Sequence, residues 1–108
     1  MFMKKAHFFL ENKAKLGLTA DQVSQIKTMR TNMVKTMIRN KAEQEIFMLD
    51  MKTKLSEPVL DVEGINTMID QAMAGMSTGA KGSVAALAEL KGLLTEEQMT
   101  KAKELWKK

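Results

Sequence analysis

The sequence predicts an all-α protein, and three observations carry that expectation. Ala, Leu, Met, Lys, Glu and Gln, the strong helix formers, dominate the chain. It holds one Pro and no Tyr, and β-branched residues are sparse. Apolar residues recur at threes and fours over long stretches free of breakers. At 108 residues, with 44% hydrophobic and 28% charged residues, the chain has the composition of one ordered domain spanning 1–108.

Four helices are expected. The first covers about 4–15, sets Ala6, Phe9 and Leu10 on one side, and ends at Gly17. The second runs over about 20–55 without Gly or Pro. Its apolar positions, from Val23 and Ile26 through Met33 and Ile38 to Leu49 and Leu55, cover more than half the helix circumference. One neighbouring helix needs a narrower stripe, so packing on two sides is implied. "SEPVLD" at 56–61 breaks the chain: Pro58 cannot sit inside a helix, and Asp61 is a good cap for the next.

The third helix is expected over about 62–92. Val62, Ile65, Ile69, Ala72, Met76, Gly79, Ser83, Leu87, Leu90 and Leu94 form a heptad-like seam along it. Its centre holds Gly75, Gly79 and Gly82, each costing ~1 kcal/mol relative to Ala inside a helix. We read it as one continuous helix with a soft centre. The fourth helix, about 96–107, carries Met99, Ala102, Leu105 and Trp106, with Trp106 as its packing anchor.

A helix of ~36 residues is ~54 Å long, whereas a compact 100-residue domain has a radius of gyration near ~13 Å. A long antiparallel helical hairpin in so small a chain cannot bury its faces alone. A homodimer is therefore expected.

Charge is unevenly spread. Residues 1–42 hold nine Lys/Arg against two acids, and residues 43–108 hold eight against eleven. The N-terminal part is a positive surface that could draw in acidic partners, unfolded chains, anionic lipid or nucleic acid. Its basic residues are scattered around the second helix, without helix-turn-helix spacing or stacking aromatics, so no specific nucleic acid is expected. No cysteine is present, which excludes disulfides, Cys-ligated zinc and a thiol nucleophile. No nucleophile–histidine–acid set, phosphate loop or Glu-x-x-His pattern exists, so the chain is not read as an enzyme. No apolar run reaches the ~18 residues of a membrane span. "MFMKKAHFFLENK" is too short and polar for a secretory signal. If the protein is exported, its signal has been removed and Met1 is an expression start.

One phrase occurs twice, as "LGLTADQ" at 16–22 and "LLTEEQ" at 93–98. Thr19 with Gln22, and Thr95 with Gln98, fit the capping box, in which the hydroxyl accepts from the first turn and the amide reaches back to the threonine N–H. Leu18 with Val23, and Leu94 with Met99, fit the hydrophobic staple. Asp21, Glu96 and Glu97 place negative charge at the positive ends of the helix dipoles. Two well-made helix starts account for the phrase, and Thr19 and Gln22 are expected to matter for helix integrity.

The pair, one copy opening a long helix and the other closing a four-helix chain, resembles the LTxxQ family of bacterial periplasmic proteins. That family includes Spy/CpxP-type envelope-stress chaperones, zinc-resistance-associated proteins and CnrX-like heavy-metal sensors. The resemblance covers essentially the whole chain. It implies a helical hairpin paired into a curved homodimer, periplasmic location after signal cleavage and, in the chaperone branch, ATP-independent binding of clients on a cradle-like surface. An inner-membrane sensor or anti-sigma factor is the implied signalling partner. The alternative branch is metal sensing or resistance.

Two candidate sites follow. Lys27 and Arg30, close in sequence to Met29, Met33 and Met37, would make a basic surface interrupted by pliable apolar side chains, suited to unfolded clients. Eleven methionines also suit plain core filling. For metal, Met3, His7 and Glu11 are spaced four apart and share a helix face, and thioether, imidazole and carboxylate are transition-metal ligand types. The sensor branch carries two histidines ahead of its first phrase; this chain has one. Met29, Met33 and Met37 offer soft ligands to copper(I). No other cofactor is expected.

Overall fold

The computed structural model describes residues 1–107. They are all-helical, with five helices among the described residues: α1 (Phe2–Glu11), α2 (Lys13–Leu16), α3 (Ala20–Leu55), α4 (Val62–Gly92) and α5 (Glu96–Lys107). Four helices were expected. The correction lies at the N-terminus, where the segment read as one helix over 4–15 begins at Phe2 and splits at Asn12. There the backbone leaves helical geometry (φ −104°, ψ 21°). The Asn12 side-chain amide donates to the Phe8 carbonyl at 2.9 Å, and its backbone N–H donates to the same oxygen at 3.1 Å. Asparagine satisfies the backbone locally in this way and competes with helix continuation.

Gly17 ends α2 in the left-handed conformation (φ 67°, ψ 39°). The N–H of Leu18 reaches the Lys13 carbonyl at 2.9 Å and that of Gly17 reaches Ala14 at 3.2 Å, a Schellman closure. Helix α4 is continuous through Gly75, Gly79 and Gly82. A Cβ at any of the three would meet nothing within 4 Å, so close helix approach does not explain them.

The chain divides into two compact units, one formed by Met1–Val34 and Ser83–Lys108, the other by Lys35–Gly82. The first unit holds the core: Phe2, Ala6 and Phe9 of α1, Leu16 of α2, Ile26 of α3, Leu90 of α4, Leu94, and Ala102 of α5. Phe9, Ile26 and Leu90 are its largest fully enclosed side chains. The two long helices pack here. Phe8 meets Trp106 edge-on at 4.9 Å, and the Lys5 ammonium lies 3.7 Å above the same indole. Trp106 thus joins α1 to α5 while staying 46% exposed.

The second unit has no such interior. None of residues 35–82 is buried. The expected seam of α4 is half-covered at Ile65 and Ala72 but open at Val62, Ile69 and Met76. On α3, Met37, Ile38, Ile46, Met48 and Leu49 are each more than half exposed.

Local chemistry holds the link at 56–61. The Asp61 carboxylate accepts from the Gly64 N–H at 3.0 Å, capping α4, and receives Lys54 Nζ at 3.4 Å. A Cβ at position 64 would run into that carboxylate, which is why glycine suits the third residue of this helix. The Gly64 hydrogen bond, then Lys54, hold the Asp61 carboxyl below its ordinary pKa. A carboxyl whose pKa is lower folded than unfolded contributes stability above the unfolded pKa and loses it as pH falls through the folded value. The amide proton shift of Gly64 should therefore titrate with a midpoint below that of an unperturbed aspartate, and Lys54→Met should raise the midpoint. An NMR pH titration checks both.

Candidate functional site: a paired-glutamine clasp

The two Leu-Thr-x-x-Gln phrases meet in the first unit. Each begins as a capping box. Thr19 Oγ1 accepts from the Gln22 N–H at 3.1 Å, and Gln22 Oε1 accepts from the Thr19 N–H at 2.9 Å. Thr95 Oγ1 accepts from the Gln98 N–H at 3.2 Å, and Gln98 Oε1 accepts from the Thr95 N–H at 2.9 Å. Leu94 belongs to the core and Leu18 packs against it, so each phrase is pinned by its leucine.

The glutamines then pair with each other. Gln22 Nε2 donates to Gln98 Oε1 at 2.8 Å, and Gln98 Nε2 donates to Gln22 Oε1 at 3.0 Å. The second hydrogen of each amide crosses to the other phrase's approach. Gln22 Nε2 donates to the Leu93 carbonyl at 2.8 Å, and Gln98 Nε2 to the Gly17 carbonyl at 3.0 Å. Both acceptors lie two residues ahead of the threonine in their phrase, so the arrangement has an approximate internal two-fold symmetry. Each amide carries two donors and an oxygen with two acceptor sites, and all are used. The orientation follows from the network: exchanging O and N in either amide would set a donor against a threonine N–H. Gln98 is 8% exposed, and no buried side-chain N or O among the described residues lacks a partner.

The choice of glutamine at both third positions is itself a signal. A capping box works with Glu or Gln. Two glutamates would have no hydrogens to exchange and would place like charges together. Sequence reasoning identified the capping boxes but not the bond between them.

The other candidate residues are arranged differently. Met29 and Met33 are half-buried against the core of the first unit, and Arg30 is half-exposed. Lys27 is exposed. Met37, in the second unit, is 53% exposed. His7 Nε2 lies 3.0 Å from Glu11 Oε1, with both side chains well exposed, and Met3 is half-buried at the edge of the core. Among the described residues, no three His, Cys, Asp or Glu side chains gather as a metal site. No described helix is long and apolar enough to cross a membrane.

Comparison with protein-family models, curated proteins and solved structures finds no match to this chain.

Because the clasp needs donors as well as acceptors, Gln98→Glu should keep the local cap and break the pair. It should destabilise the fold by about 2–3 kcal/mol at neutral pH, the cost of stranding buried polar partners. An acid in this place has its pKa raised, so stability should recover as pH falls and the carboxyl regains a hydrogen. In a cycle with Gln22→Ala, the two positions should couple by roughly 1 kcal/mol. Urea denaturation across pH measures all three.

Proposed function

We propose that the chain is a periplasmic, stress-related binding protein of the LTxxQ type, without chemistry of its own, acting as an ATP-independent chaperone of the Spy/CpxP kind. The observation that carries this reading is the reciprocal Gln22–Gln98 pair. It makes the two phrases halves of one device rather than two helix starts that happen to look alike, and the likeness to the family rests on that recurrence.

The finer architecture belongs to the same proposal: α3 and α4 form an antiparallel hairpin that pairs into a homodimer. Residues 35–82 support it, because none is buried. Ordering a backbone costs about 1–2 kcal/mol per residue, and a stretch with no fully buried apolar side chain offsets little of that. A concave apolar strip of about 810 Å³ follows Met48, Leu49, Met51 and Leu55 on α3, with Glu45 and Lys52 beside it. A second copy of the chain is the occupant that this proposal assigns to it. Clients bind the basic, methionine-bearing surface of Lys27, Met29, Arg30, Met33 and Met37, where partly covered methionines adapt to varied sequences. An inner-membrane sensor or anti-sigma factor receives the signal. Metal sensing takes second place: the single imidazole is engaged by Glu11.

Light scattering at micromolar concentration should return twice the chain mass; a monomer mass there would remove the dimer. The chain should suppress aggregation of a chemically denatured client without ATP. Lys27→Glu with Arg30→Glu should weaken that suppression while leaving helical content unchanged. Full activity in the charge-reversed variant would count against the assigned client surface.

A further inference from the structure

We propose that the cleft formed by α1, α4 and α5 in the first unit binds a phosphate-class oxyanion. Three helices each bring lysine to it: Lys5 from α1, Lys91 from α4, and Lys103 and Lys107 from α5, around an aromatic floor that includes Phe9 and Trp106. No carboxylate lines the cleft among the described residues, and none of the four lysines stands in an ion pair there. Packing alone does not call for this arrangement. One cation over the indole, Lys5 at 3.7 Å, supplies the cation–π contact that helps join α1 to α5. Lys91 adds repulsion to it. Burial first, then the Lys91 ammonium, push the Lys5 pKa below the ordinary lysine value, so its charged form is held at a cost.

An anion in the cleft would offset it. The space is about 140 Å³, below the ~300–1,000 Å³ typical of sites for larger organic ligands and several times the ~30 Å³ share of one water. That admits a compact group. A phosphate presents about three strongly accepting oxygens and roughly −1.5 to −2 charge near neutral pH, enough acceptors for ammonium groups arriving from three helices. A carboxylate, with a single charge and two oxygens, answers fewer of them. Lysine binds phosphate as a point charge and needs no planar fork. The chemistry is shared by free phosphate and by the headgroup of an anionic lipid.

The chain reports on this site directly. Trp106 is the sole tryptophan and tyrosine is absent, so intrinsic fluorescence comes from the cleft. Titration of the full chain with sodium phosphate should give a saturable change in emission that sodium chloride at matched ionic strength does not. Lys91→Gln with Lys103→Gln should weaken it roughly tenfold or more, the scale of losing charge-assisted hydrogen bonds, with circular dichroism unchanged. If that double variant loses helix, Lys107→Gln, an exposed change in the last turn, serves instead. Lys27→Glu with Arg30→Glu should leave phosphate binding intact. Phosphatidylglycerol vesicles, against phosphatidylcholine, separate the sources. Vesicle binding displaced by phosphate assigns the headgroup, whereas a phosphate response without vesicle binding assigns the free ion. An identical change with chloride, or a phosphate response untouched by the lysine substitutions, overturns the proposal.

Discussion

The reciprocal amide pair of Gln22 and Gln98 is the constraint around which the first unit of this protein is arranged. Each amide closes its own helix start, takes the other's hydrogen and donates to the backbone two residues ahead of the other's cap. Such a network is all or nothing. Fully satisfied, it fixes where α3 and α5 begin relative to one another. With one member missing, it leaves buried donors and acceptors that cost more than the bonds had contributed. Because the bonded carbonyls belong to Gly17 and Leu93, the pair also holds the ends of α2 and α4. The Schellman turn at Gly17 is part of this arrangement: it satisfies the carbonyls of α2 through Gly17 and Leu18 and leaves the Gly17 oxygen to accept from Gln98.

Around the clasp the apolar core follows. Ile26 lies one helical turn beyond Gln22, Leu94 immediately precedes Thr95, and Ala102 lies one turn beyond Gln98; all three are buried. The same two long helices bury none of their apolar residues across 35–82 and leave many of them exposed. A protein that encloses one part of a helix and exposes comparable residues on another has a surface suited to binding. The proposed dimer draws on that asymmetry.

Much of this was legible from residue order. The spans of α3, α4 and α5, the stop at Gly17, the break at Pro58 and the caps at Thr19, Asp61 and Thr95 are local matters, decided within three or four residues. The split at the N-terminus is also local. Periodicity alone carries a helix through Asn12, whose short amide competes for the backbone, while Phe2, Ala6 and Phe9 keep the helical spacing that extends α1 to Phe2. The candidate site was half legible: the threonines and glutamines stood out, but as separate caps.

The sequence by itself determined an all-helical chain, where its long helices begin and end, and which side chains close their first turns. These depend on backbone propensity and on hydrogen bonds spanning a few residues. Only the tertiary structure decided that Gln22 and Gln98 bond across the chain, that Ile26 and Leu90 are enclosed while Ile46 and Met76 are not, and that lysines from three helices line one cleft with Trp106. Periodicity states which face of a helix is apolar but not what covers it. A capping amide shows one hydrogen bond to its own helix, and its remaining donors find partners only when distant parts of the chain are brought together.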